Sequence, residues 1–266
     1  DKEKFPKIKK SIRAFLSSEE GRILNKNVVR AGIALGLTAL FLIRGEGVLV
    51  NRGLLGAAVI LGVVGIYSIV SGWNLDVDER DALVAAVGDR FDGVDVLVNN
   101  AGATWGAPID DYPEDAFDKL WGINVKGPFF LTQAFLPMLE AAAGDEDPAR
   151  VINIASIDGL RVPAMPTYAY SSTKAGVLAL TRHMARDLLA RNIRVNAIAP
   201  GPFESKMMAF APDTEEKRDM VSSTVPAGRI GSPDDMAAAA LFLASRASDY
   251  VIGETIAVDG GIVNLA

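Results

Sequence analysis

From Trp73 onward the chain predicts an α/β fold with a parallel sheet, and three observations predict it. Strand-like and helix-like runs alternate, as they must when each parallel strand needs a helical crossover. Two of the strand-like runs, VDVLVNNAG (94–102) and RVINIAS (150–156), are apolar until their last residues and then turn polar. Such strands are covered on both faces and present ligand-handling groups at their carboxyl ends. Half of the 266 residues are hydrophobic, which is ample for a core.

The chain divides into three zones. Residues 1–30 form a basic tail with nine Lys/Arg and four Asp/Glu, and Ile8, Ile12 and Phe15 fall at helical spacing. This tail is either solvated or a contact for an anionic membrane surface. Residues 31–72 are almost entirely apolar, broken only by RGEGVLVNRG (44–53). Residues 73–266 form the α/β domain. Net charge is −6, and residues beyond the tail hold 29 of the 33 acidic groups. An acidic body excludes nucleic acid as the main partner, because phosphate binding needs a basic face. There is no cysteine, so disulfides, thiol catalysis and thiolate metal sites are excluded, which fits a reducing, cytoplasmic compartment. With one histidine, His183, a multi-histidine metal site is also excluded.

The apolar zone contains Leu54–Gly72, nineteen residues without a charge. As a helix it would span roughly 28 Å, close to a bilayer core. The shorter run Ala31–Ile43 lies between Arg30 and Arg44 and carries the small-residue face GIALG (32–36). Three readings stand: a helical membrane hairpin or anchor with contact through residues 28–72, buried elements of the domain, or a segment foreign to the domain.

The chemistry sits in the domain. Ser156 closes an apolar strand, and fourteen residues later comes Tyr170 in YSSTK. Tyr170 and Lys174 stand four apart, so on a helix they share a face. An ammonium beside a phenol favours the phenolate and would lower its pKa from about 10 toward a usable proton donor. A YxxxK pair alone is a chance pattern; the signal is its order after NNAG and a strand-end serine.

In that order, LDV (75–77), NNAG (99–102), the NV of INVKG (124–125), the Ser156 strand, YSSTK (170–174), RVNAIAPG (194–201) and VDGG (258–261) resemble the short-chain dehydrogenase/reductase family. NNAGATWGAPIDDYP, DPARVINIAS and IAPGPFESKM are most similar to its 3-oxoacyl reductase branch of the rhamnolipid type. The resemblance implies a Rossmann-like, doubly wound parallel sheet and hydride transfer between a nicotinamide cofactor and a small carbonyl/alcohol substrate. By branch that cofactor is NADP, with NAD the alternative. The substrate is a 3-oxoacyl compound, a sugar acid or another secondary alcohol. Tyr170 would be the general acid, Lys174 would tune Tyr170 and hold the nicotinamide ribose, and Ser156 would hydrogen-bond the reacting carbonyl. Asn124 would hold a water leading from Lys174 to solvent, a role compatible with mending an irregular helix. Asp76 and Val77 would meet the adenine; Asn100, Ala101 and Gly102 would line the adenosine ribose. Pro200, Gly201, Phe203 and Ser205 would position the nicotinamide, and 203–225 would form a lid. A homodimer or homotetramer is implied, through helices near 116–140 and 170–190.

One family part is missing. The glycine-rich TGxxxGxG turn, which cradles pyrophosphate at a helix N-terminus, is not found. The nearest stretch is GVLVNRGLLGAAV (47–59), with the wrong spacing and no threonine. Only 23 residues separate Gly53 from Asp76, too few for two helices and two strands. The N-terminal βαβ part is therefore expected to be missing or replaced by apolar helical segments. The alternative to an active reductase is a non-catalytic, membrane-tethered or partner-bound relative, or a chimeric chain, that binds no nucleotide. Elsewhere, His183 is expected on a charged helix face, Asp110, Asp111, Glu114 and Asp115 at a helix start, and MAAAALFLA (236–244) in a core helix.

Overall fold

A computed structural model describes residues 39–43, 58–61, 77–203 and 215–265. Four parallel strands make the centre: β3 (Val94–Asn99), β4 (Ala149–Ile154), β5 (Ile193–Pro200) and β6 (Thr255–Val258), paired in that order. Val96, Val98, Val151, Ile152, Val195 and Ile198 are all buried, as continuous apolar strands with two covered faces require.

Helices cover both faces. On one lie α1 (Val77–Gly88), α3 (Gly127–Ala142) and α4 (Tyr168–Leu188), whose Val87, Phe135, Leu139 and Leu188 pack on Leu97, Val151 and Val195. On the other, α6 (Pro233–Leu243) sets Leu243 against Val96, Val98, Ile152 and Ile198. MAAAALFLA is thus a core helix. It begins at Ser232, whose hydroxyl and Asp235 form a capping box, with Arg229 bonded to the Asp235 carboxylate at 2.7 and 2.9 Å. The helices α2 (Glu114–Trp121), α5 (Glu215–Ser223) and α7 (Ile262–Leu265) complete the set. His183 is exposed on α4, and Glu114 and Asp115 open α2, as expected. Asp110 and Asp111 instead lie in a separate 3-10 turn, Ile109–Asp111.

The apolar zone differs from its expected helices. Ala39–Ile43 is strand β1 and Ala58–Leu61 is strand β2. β1 runs antiparallel to β3, from Ala39 opposite Asn99 to Ile43 opposite Val94, and β2 runs antiparallel to β1. The sheet order is β2-β1-β3-β4-β5-β6. The physical reason is the edge of β3: an unpaired strand edge in an apolar setting needs backbone partners, and a neighbouring apolar run supplies them as strand. No helix among the described residues is long and apolar enough to cross a membrane. Apart from β1 and β2, the expected membrane contact through 28–72 lies outside the described residues, as do Asp76, Ser205 and part of the lid.

Candidate active site

The carboxyl ends of β3, β4 and β5 converge with the first turns of α4. Ser156 follows β4 and caps a 3-10 turn, Ile157–Gly159, its Oγ accepting from Asp158 N–H at 3.2 Å. Gly159 lets that turn press on α4: a Cβ there would lie 2.6 Å from the Lys174 carbonyl carbon and 2.7 Å from Ala175 N. Only a residue without a side chain permits this approach. The contact brings Ser156 beside Tyr170, near enough for the serine hydroxyl to favour the phenolate.

Lys174 stands one turn beyond Tyr170, 4 % exposed. Its Nζ donates to the Ile154 carbonyl at 2.8 Å and lies 5.7 Å from the Tyr170 ring centroid. Burial without a carboxylate disfavours its charge and pulls its pKa from 10.5 to about 8. The phenol departs from expectation. Burial raises the Tyr170 pKa, the Ser156 hydrogen bond opposes the rise, and the Asp158 carboxylate adds to it. The expected acidification by Lys174 is corrected: burial dominates the phenol, and the Lys174 Nζ is held at the Ile154 carbonyl. Asp158 is itself raised by burial, against the pull of Arg161.

Asn124 lies in a π turn, Gly122–Lys126, inside the otherwise continuous helix from Glu114 to Ala142. Its Oδ1 accepts from Ala103 N–H at 2.9 Å; its Nδ2 donates to the Ala103 carbonyl at 3.0 Å and to Thr173 Oγ1 at 2.9 Å. Both amide protons are therefore spent on groups of other elements, the loop after β3 and α4. π turns recur at functional sites because they re-aim a side chain within a helix.

Asn100, Ala101 and Gly102 form the loop after β3. A Cβ on Gly102 would sit 3.3 Å from Lys174 Nζ and 3.5 Å from Asn124 Oδ1. The bare backbone thus lets the loop lie close to the Lys174 ammonium and the Asn124 amide. Pro200 ends β5. Gly201 lies close to the residue that follows β6: a Cβ on it would lie 2.8 Å from Asp259. The Phe203 ring packs on Gly231. Val77 is the first residue of α1. So the described residues fit the nicotinamide-ribose half of a dinucleotide. Among them, no glycine-rich turn faces the pyrophosphate.

Sequence reasoning missed Thr173, Asp158, Gly159 and the Ile154 carbonyl. Thr173 stands inside YSSTK and Gly159 follows Ser156 by three, but only packing gives either a role. Among the described residues no cluster of His, Cys, Asp or Glu could hold a metal.

Parallel strands ending in a Ser–Tyr–Lys cluster define an oxidoreductase of the short-chain type, and comparison agrees. A family model described as Enoyl-(Acyl carrier protein) reductase matches residues 73–263. The chain belongs to the short-chain dehydrogenase/reductase family. It is 40% identical over 179 residues to the rhamnolipids biosynthesis 3-oxoacyl-[acyl-carrier-protein] reductase of Pseudomonas aeruginosa, covering 67% of this chain and 70% of that one. It is 38% identical to the galactitol 2-dehydrogenase of Agrobacterium fabrum, over 70% of this chain and 75% of the relative. Among solved structures, the Pseudomonas aeruginosa RhlG/NADP active-site complex matches with a TM-score of 0.67 at 39% identity, over 70% of this chain and 72% of that one.

Proposed function

We propose that the chain is an NADP-dependent reductase that interconverts a small carbonyl compound and its alcohol. The observation that carries this reading is Ser156 close enough to the Tyr170 phenol to favour its phenolate, with the Lys174 ammonium buried one turn away. Bound NADPH would supply the hydride. The chain's own groups do the rest. Ser156 and Tyr170 hold the substrate oxygen between two hydroxyls and stabilise charge as it develops there. The raised Tyr170 pKa keeps the phenol protonated through neutral pH, so the proton it gives is always present. Lys174, charged below about pH 8, favours the phenolate left behind and faces the space where the ribose hydroxyls would lie.

For the substrate we favour a 3-oxoacyl compound over a sugar acid. The relative named for 3-oxoacyl reduction supports this, and so does the rim of the site. Trp105, Val162 and Met165 are exposed large apolar groups on the loops after β3 and β4, with the exposed Tyr168 opening α4, and those loops are joined by an Ala107 N–H bond to the Pro166 carbonyl at 3.2 Å. The Asp158 carboxylate beside Tyr170 would repel an anionic sugar acid. The exposed Phe117, Trp121 and Phe129 on α2–α3 support a homo-oligomer, which light scattering tests. Use of NADPH would support a cytoplasmic setting.

A second reading has one observation behind it. Because β1 is antiparallel to β3, the segment that follows β1 leaves from the end of the sheet opposite Tyr170. In the family the pyrophosphate turn follows a strand at the site's own end. β2 does end on the site's side, but the sequence after Leu61 holds no TGxxxGxG; a chain so built would be a partner-bound relative without nucleotide binding. Titration of NADPH and NADH separates the two readings. Micromolar NADPH binding, with Tyr170→Phe losing at least about 10³-fold in kcat while binding NADPH normally, supports the reductase. No binding of either nucleotide at millimolar concentration leaves the second reading.

A further inference from the structure

Three buried threonines on the helices behind the sheet repeat one arrangement. Thr132 on α3 accepts from Asn99 Nδ2 at 3.0 Å and donates to the Pro128 carbonyl at 2.8 Å. Thr181 on α4 accepts from Asn153 Nδ2 at 2.9 Å and donates to the Val177 carbonyl at 2.8 Å. Thr173 accepts from Asn124 Nδ2 at 2.9 Å and donates to the Tyr170 carbonyl at 2.9 Å. All six side chains are at most 3 % exposed. In each case an asparagine from another element holds a hydroxyl whose proton is committed to the carbonyl about one turn back. The rotor has no alternative, and leaving a buried amide proton unpaired is costly. Each pair therefore fixes one turn of helix against its neighbour.

Only one of the three lands on a residue with chemistry. We propose that Thr173 is a positioning residue for Tyr170, tying the first turn of α4 to Asn124 and so aiming the phenol at Ser156. This rests on the reading of Tyr170 as proton donor. Two further observations point the same way. Tyr170 lies in the first turn of α4, where backbone N–H groups lack helical partners, and the N-cap residue Thr167 makes no side-chain cap bond. The restraint that a cap would give comes instead through Thr173. Asn124 also holds both backbone groups of Ala103, so the strand-end loop and Tyr170 share one anchor.

Thr181 is the built-in control, with the same bond pattern and burial but three turns beyond Tyr170. Thr173→Val and Thr181→Val are isosteric, and each orphans one buried asparagine proton, so both should lose similar thermal stability. Thr173→Val should also lose about 10–100-fold in kcat with little change in the NADPH KM, and Thr173→Ser should recover most of it. Thr181→Val should keep kcat within roughly 3-fold. A readout without turnover is the alkaline titration of the Tyr170 phenol, followed by phenolate absorbance against a Tyr170→Phe background. The groups facing that phenol are Ser156, Asp158 with Arg161 beside it, and Lys174. Thr173→Val should move the midpoint and Thr181→Val should not; Thr173→Ala serves if the valine variant fails to fold. Parallel losses of kcat in the two valine variants, or an unmoved phenol in Thr173→Val, overturn the proposal. If the unmodified chain reduces no carbonyl, the oxidoreductase reading fails, while the phenol titration still decides the positioning.

Discussion

The two ends of β4 each bury a basic side chain and treat it in opposite ways. At the amino end, Arg150 is fully buried, and its guanidinium reaches Asp147 at 3.0 Å, Asp249 at 2.8 Å and the Pro148 carbonyl at 2.7 Å. Two carboxylates and a carbonyl compensate the desolvation, and the cluster ties the strand to the turn before β6. At the carboxyl end, Lys174 packs over Ile154 with one carbonyl as acceptor and no carboxylate, so burial wins and its pKa falls to about 8. One strand thus carries a structural ion at one end and a titratable one at the other. The difference is whether a counter-charge was placed beside the buried cation.

The largest effect should come from Lys174→Met. The Lys174 pKa is lower in the folded chain than in the unfolded one. Between about pH 8 and 10.5 the unfolded chain therefore binds more protons, and stability rises with pH across that window. Below pH 8 the penalty of burying the charge is fully present. Lys174→Met removes it, so at pH 7 the variant should be more stable by about 2–3 kcal/mol while kcat falls by at least about 10²-fold. Denaturant melts at pH 7 and pH 10 check both size and sign; a variant less stable than the parent at pH 7 would break the comparison.

Next in size, Asp249→Ala should cost about 2 kcal/mol, less than a fully buried pair because Asp249 is partly exposed and Asp147 remains. Its kcat should stay at the parental value, since the ion cluster lies at the far end of the sheet. A loss of turnover in an otherwise folded Asp249→Ala protein would mean the ends are coupled. The smallest effect on stability, about 1–2 kcal/mol, is expected for Gly159→Ala, whose methyl meets the α4 backbone. Yet turnover should drop, because the displaced turn carries Ser156 away from Tyr170. Equal percentage losses of activity and folded protein would make Gly159 a packing residue only.

Much of this was legible in the chain. The apolar runs at 94–99 and 150–154 could only be doubly covered strands, and their polar ends marked where the site would lie. YSSTK at helical spacing put Tyr170 and Lys174 on one face, and the structure has them there. The apolar zone misled because length and lack of charge suit a bilayer helix and a sheet edge equally. Which one forms depends on whether β3 offers an unpaired edge, and that is no property of residues 31–72.

By itself, then, the sequence determined the class of fold, the order of the site residues and the absence of thiol or histidine metal chemistry, because periodicity and residue type are local. Tertiary structure decided the charge behaviour of Tyr170 and Lys174, the commitment of Asn124 to Ala103 and Thr173, and the strand form of 39–43 and 58–61. Desolvation and hydrogen-bond partnership depend on what lies across the fold, and no window of neighbouring residues contains that.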